Sequence, residues 1–293
     1  MSTSGSSPAS QPGKSSARDQ LRQQRAAEAK AAKKKKVLIL VLATLALVAA
    51  LVAGFAVAGE AKRDKDANVT VEGQSLTQAL TSIPAASFDA VGVGTATNVP
   101  EAIPGGKPQL VDGKPRVLYI GAEFCPYCAM ERMALVSSLS RFGTFSGLKD
   151  TLSSPNEGPI SNIPTVTFTG STFTSDTVAL TAVETQDRMG QPTGEKPTAE
   201  DEAIFRKHAP QGGIPFTWYG SAFSNWAGFD GDSMAGKQPE EIAKALGDPN
   251  SDESKAVLGA SNVISAQLCK ETGGKPAEVC TSAGVTEAAK KLK

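Results

Sequence analysis

The chain of 293 residues contains four cysteines, and two of them, Cys125 and Cys128, enclose only Pro126 and Tyr127. Two thiols at this spacing on the first turn of a helix can close into a disulfide with little chain movement. Cys125 would sit where unpaired backbone N–H groups and the helix dipole stabilise an anion. A thiolate there has a lowered pKa and is a better nucleophile and leaving group. Cys128, deeper in the helix, would resolve the mixed disulfide. Pro126 suits the helix start, where no N–H is needed. A zinc site would need two further ligands from Cys269, Cys280 and the lone His208, and their spacing fits no common zinc pattern. A purely structural bridge across four helical residues would be strained and reducible. Dithiol–disulfide exchange is therefore the expected chemistry, with no metal and no cofactor.

Other residues could contribute to that chemistry. Glu123 stands two positions before Cys125; it is either an acid acting beside the thiol or a solvated strand end. His208 lies in a polar segment 80 residues beyond Cys128 and reads as a surface residue rather than a base. Gly212-Gly213 precedes Ile214-Pro215, which puts a proline at the mouth of a strand. Trp218, Tyr219, Phe223 and Trp226 follow it, as core packing or as a rim that touches substrate. Cys269 and Cys280 bracket a 12-residue segment. Outside the cytoplasm such a pair is expected to be oxidised. Closing that loop contributes roughly 2.5–3 kcal/mol by chain entropy. We read it as a structural staple, with a second redox relay as the other reading.

The elements that must position these groups follow from the apolar pattern. Arg116–Ala122 is a short apolar run suited to a buried strand, and it leads straight into Glu123–Cys128. Met130, Met133, Ala134, Val136, Leu139 and Phe142 then recur near helical spacing over 129–142, and Gly143 ends the pattern. Strands are predicted at 165–169 and 177–183, a surface loop at 187–200 and a short helix at 200–208. Helices are predicted at 239–246, with Pro239 at the first position, and at 252–269. A short helix is expected around 76–81, and loops with an edge hairpin between 88 and 115.

Equal numbers of basic and acidic residues, 30 of each, conceal a polarised chain. Residues 1–36 carry nine basic and two acidic groups, whereas 59–293 carry 21 and 28. Between them Val37–Ala58 holds no charge. As a helix this stretch would be about 33 Å long, against a hydrocarbon core of about 30 Å. The basic flank on its N-terminal side places the N-terminus in the cytoplasm and the large domain outside. A cleaved signal peptide is the competing reading, since Ala56-Val57-Ala58 resembles a cleavage site; the long leading segment and long apolar run argue against it. Either way the domain is exported. Ala46, Ala50, Gly54 and Ala58 repeat every four residues, by chance in an alanine-rich segment or as a face for another membrane helix. Residues 1–36 lack an apolar face and read as a disordered basic cytoplasmic tail, with Lys33–Lys36 near anionic headgroups. The expected organisation is this tail, a transmembrane helix at 37–58, a linker at 59–87 and an extracytoplasmic domain at 88–293. A nucleic-acid partner, a polytopic transporter and a disulfide-stapled miniprotein are excluded.

The segment Tyr119–Cys128 resembles the active-site strand–CxxC–helix of the thioredoxin superfamily. The resemblance implies that Pro215 is the cis-proline facing the cysteines, and that Glu123, Pro126, Tyr127, Ile214 and Pro215 form the active-site loops that meet substrate. The Pro-Tyr dipeptide occurs in glutaredoxins and in periplasmic disulfide isomerases, and export favours the second group. Gly121–Gly147, with Ser140–Gly147 inside it, then Gly213–Phe216 and Gly273–Pro276 resemble more closely a membrane-anchored, thioredoxin-like domain-of-unknown-function family, numbered 929. Together they span most of 90–285. Two departures from thioredoxin stand out. Tyr119 occupies the position, six residues before Cys125, where thioredoxins carry a buried acid. Also, 86 residues separate Cys128 from Pro215, which implies an insertion.

The expectation is thus an α/β, thioredoxin-like fold with an insertion between the CxxC helix and the cis-proline strand, preceded by one transmembrane helix. The expected function is membrane-anchored, extracytoplasmic thiol–disulfide exchange on exported proteins that carry thiols or disulfides. The alternative is a non-catalytic accessory or assembly subunit of a membrane complex, such as a respiratory one. The anchor would also contact membrane lipids.

Overall fold

The computed structural model describes residues 75–292 continuously; before them it describes only Arg22, Arg25, Glu28, Lys30, Lys33–Lys36 and Thr44, each helical and exposed. The chain divides into two units, 1–62 and 63–293. In the second unit the elements run as helices α1 (Leu76–Thr81) and α2 (Ala85–Val91), strands β1 (Glu101–Ala102), β2 (Leu110–Val111) and β3 (Lys114–Gly121), then helix α3 (Pro126–Leu139). Strands β4 (Thr144–Ser146), β5 (Lys149–Leu152), β6 (Pro164–Thr167), β7 (Thr172–Thr174) and β8 (Ala179–Glu184) follow, then α4 (Ala199–His208). The chain closes with β9 (Phe216–Trp218), β10 (Ala222–Ser224), α5 (Pro239–Ala245), α6 (Asp252–Glu271), α7 (Ala277–Cys280) and α8 (Ala283–Ala289).

The main sheet has six strands in the order β1-β10-β9-β3-β2, with β8 also paired to β3. Only β3 and β8 run parallel, over Arg116–Gly121 and Ala179–Glu184. The other pairings are antiparallel, including two separate ribbons, β4 with β7 and β5 with β6.

This corrects the expected architecture. The described residues form a mixed α/β unit with mainly antiparallel pairing, and nothing in it identifies a thioredoxin-like fold. Among them no helix is long and apolar enough to cross a membrane. Apart from Thr44, the apolar stretch 37–58 on which the transmembrane expectation rested lies outside the described residues, as does 59–74 of the linker. The physical reason is that the fold expectation rested on a buried strand running into a helix, which is a local signal. Whether the next strand returns parallel or antiparallel depends on long-range partners that periodicity does not encode.

Alternation along β3 sorts its side chains onto two faces. Val117 and Tyr119 join the main core, while Leu118 and Ile120 join a smaller one with Val183, Phe216 and Trp218. Ile204 and Phe205 of α4 pack against the smaller core. The main core is organised by α3 and α6, which pack along each other, with β6 and α1 also against α3. Every residue of α3 except Tyr127 is buried. Their contact also carries polar pairs. Ser137 meets Ser261, and Ser138 lies 2.9 Å from Ser265, so each buried hydroxyl is hydrogen-bonded as its desolvation requires. Gly259 allows α6 to approach the α2–β1 connection, because a Cβ there would stand 2.5 Å from the Val93 carbonyl oxygen.

Candidate active site

The turn from β3 into α3 sets the cysteines. Cys125 is the N-cap of α3, in extended conformation (φ −74°, ψ 123°), and Pro126 takes the first helical position. The Cys128 backbone N–H donates to Cys125 Sγ at 3.4 Å, so the sulfur takes the place usually held by a capping oxygen. The Cys125 thiol lies 3.9 Å from the Ile214 carbonyl oxygen, and the Ile214–Pro215 peptide is cis. The structure therefore brings Cys125, Pro126, Cys128, Ile214 and Pro215 together. Cys125 and Cys128 are both free thiols. Cys125 is 6 % exposed and Cys128 fully buried, so Cys125 is the less enclosed of the two.

Their acidities are driven apart. Cys125 is pulled down to about 7, first by its hydrogen bond with the Cys128 side chain, then by the Cys128 N–H and the Arg132 guanidinium, against the opposing effect of burial. Burial pushes Cys128 well above the ordinary thiol range, and sharing a hydrogen bond and charge with Cys125 pushes the same way. At neutral pH Cys125 thus bears a substantial thiolate fraction while Cys128 holds its proton, which is the division of labour that stepwise exchange requires.

Beneath the pair lies an ionic network that the sequence reading missed. Arg132 and Glu184 are both fully buried and meet at 3.2 Å. One guanidinium nitrogen also donates to the Ala122 carbonyl at 3.2 Å and to the Tyr119 hydroxyl at 3.3 Å; the other reaches the Glu123 carbonyl at 3.4 Å. Burial opposes the charge on Arg132, but Glu184 and the neighbouring acidic groups hold its pKa above the ordinary value. Burial pushes Glu184 up to about 7, while Arg132 restrains it. Tyr119 is pushed well up, chiefly by burial. A buried acid therefore does reach this region, from β8 rather than from the Tyr119 position of β3. The available signal was a pair of charges, Glu131-Arg132, inside an otherwise apolar helix, and a carboxylate ending the apolar run 178–183.

The remaining candidates separate. Glu123 is half-buried, and its carboxylate accepts from the Thr167 hydroxyl of β6. His208 packs against Phe223, ring centroids 4.8 Å apart. Trp218 and Tyr219 are buried in the packing, whereas Trp226 is 60 % exposed and meets Tyr127 edge-to-face at 6.4 Å. Glu131, also missed, is buried on α3, accepts from the Thr217 hydroxyl at 3.0 Å and is pushed up to about 7 by burial. Among the described residues, no three His, Cys, Asp or Glu side chains are grouped to hold a metal ion. Cys269 and Cys280 are joined as a disulfide between the end of α6 and α7, with Cα atoms 5.5 Å apart.

Residues 106–219 match the family described as Domain of unknown function (DUF929). No curated protein and no solved structure matches the chain. The match is shorter than the 90–285 span that the resembling motifs cover. It includes both site cysteines, Arg132, Glu184 and Pro215, and stops before Trp226 and α5–α8.

Proposed function

We propose that this protein is a thiol–disulfide oxidoreductase that works by exchange through Cys125 and Cys128. The observation that carries the reading is the geometry of the pair: Cys125 caps α3 with its sulfur accepting the Cys128 N–H and lies 3.9 Å from the Ile214 carbonyl oxygen beside the cis Ile214–Pro215 peptide, with the fully buried Cys128 one turn deeper. In the reducing direction, Cys125 thiolate attacks one sulfur of a substrate disulfide, and the other substrate sulfur leaves as a thiolate. Cys128 then gives its proton to that thiolate and attacks Cys125 Sγ. The second substrate thiolate departs, the protein is left as a disulfide, and two electrons have passed to the substrate. Oxidation of a dithiol substrate is the same sequence reversed. The substrates are thiol- or disulfide-bearing exported proteins. The protein is held at the cell membrane with its N-terminus cytoplasmic and its C-terminal domain outside. The support for that location is the basic flank before Val37–Ala58 and the Cys269–Cys280 disulfide, which suits an oxidising compartment.

The test uses the purified full chain with a small disulfide such as hydroxyethyl disulfide. Cys125→Ser is expected to abolish exchange, and Cys128→Ser to accumulate a mixed disulfide on Cys125. Unchanged exchange in Cys125→Ser would end the reading. The near-closure of Cys125 favours one second reading, an accessory subunit of a membrane complex in which the thiols are not turned over. Co-purification with such a complex that persists in Cys125→Ser/Cys128→Ser would support it.

A further inference from the structure

Tyr127, between the two cysteines in sequence, lines a cavity of about 260 Å³ that opens to solvent. Its apolar walls include Tyr127, Met130, Trp226 and Phe229. Tyr127 and Met130 flank Cys128 and Ala129 on α3, so the cavity adjoins the reacting turn. Tyr127 is 43 % and Trp226 60 % exposed, although large aromatics are usually covered. Asp230 and Asp232, both exposed, line it as well, together with residues that include the neutral polar Thr97 and Asn98. The Asp232 N–H donates to Asp230 Oδ1 at 3.0 Å, which holds the two residues on one tight turn. Neither carboxylate forms an ion pair among the described residues. The turn packs closely on α3: a Cβ on Gly231 would stand 2.4 Å from the sulfur at the flexible end of the Met130 side chain.

We infer that this cavity is a recognition pocket for a lysine or arginine side chain lying a few residues from the reacting cysteine of a polypeptide substrate. The inference rests on the proposed exchange activity for its substrate, but the pocket stands on its own geometry. A long basic side chain fits both halves of the lining. Its methylenes lie along Met130 and Phe229, as amphipathic side chains do on apolar surface. Its cationic head meets a face of Tyr127 or Trp226 and the two carboxylates, neither of which has an ion-pair partner among the described residues. A carboxylate or a purely aliphatic side chain would leave Asp230 and Asp232 repelled or unmatched. Long-range attraction acts in the same direction, because residues 59–293 carry 28 acidic against 21 basic groups.

The test measures binding apart from exchange. Full-length Cys125→Ser/Cys128→Ser protein is titrated calorimetrically with two disulfide-containing peptides that differ only in Arg or Glu flanking one cysteine. The Arg peptide is expected to bind roughly tenfold more tightly. That difference should collapse in the same protein carrying Asp230→Asn and Asp232→Asn, and shrink at high salt. Equal affinity for the two peptides with both aspartates present overturns the inference, as does an Arg preference that survives Asp230→Asn/Asp232→Asn. Hydroxyethyl disulfide exchange by the unmutated chain is measured in parallel. Its absence would remove the oxidoreductase reading while leaving the binding comparison to decide the pocket.

Discussion

Cys125 and Cys128 differ by three positions in sequence and by opposite environments in space. One caps a helix and accepts its partner's N–H; the other is fully enclosed. Alkylation of the reduced protein by iodoacetamide should therefore rise to half its maximum near pH 7 at Cys125, while Cys128 stays unmodified; a Cys125 midpoint near 9 would contradict this account. The network below them makes an asymmetric prediction. Arginine cannot shed its charge, whereas a buried carboxyl can take a proton. Glu184→Gln should thus cost about 3–5 kcal/mol in denaturant unfolding, by leaving the Arg132 charge buried and unpaired. Arg132→Met should cost less, because Glu184 can then be protonated. Glu131 carries a pH dependence. The folded state keeps its proton up to about pH 7, whereas the unfolded chain releases it near 4.5, so stability falls as pH rises through that window and is flat above it. Glu131→Gln should remove up to about 3 kcal/mol of the difference between pH 5 and pH 8. Glu184 and Glu271, which burial raises, add slope in the same direction, whereas His208 and Cys125, whose pKa values are lowered, act against it. At this scale the sequence was legible where chemistry is local. The CxxC spacing announces itself, but Arg132 and Glu184 lie 52 positions apart and become a pair only when β8 aligns with β3.

At the scale of elements, the strand, turn and helix around the cysteines could be read directly, since apolar alternation and helical spacing each repeat within a few residues. The helix begins at Pro126, where the proline and the cysteine cap were expected to start it, and ends at Leu139, three residues before the end of the apolar pattern at 142. Strand partners were not readable in this way. The β4–β7 and β5–β6 ribbons use threonine-rich segments whose pairing depends on which apolar face meets α3, α1 or another strand. The Cys269–Cys280 pairing was readable, because two cysteines bracketing a short loop are expected to be oxidised outside the cytoplasm. It joins the last turn of α6 to α7, and α8 beyond it packs back on α6. Cys269→Ser/Cys280→Ser should lower unfolding stability by about 3 kcal/mol, as expected for freeing a loop of this size. Exchange at Cys125 should persist, since the staple lies outside the site; loss of exchange in a variant that still unfolds cooperatively would assign this pair a redox part.

Across the whole molecule, the stretch that carries the family match is narrower than the unit that supports the site. Helix α3 is buried at every residue but Tyr127, and α6, which lies beyond residue 219, packs along it. The pocket wall at Trp226, Asp230 and Asp232 also lies beyond it. Charge is partitioned on the same large scale, with the basic excess before residue 37 and the acidic excess after residue 58. Neither arrangement is visible in any short window, since one depends on tertiary contact and the other cancels in the total. The ring closed by Cys269 and Cys280 encloses an exposed turn at Gly273-Gly274-Lys275. A protease that cuts inside this ring would sever the backbone without releasing α8, so the nicked chain would migrate as one species until a reductant split it in two.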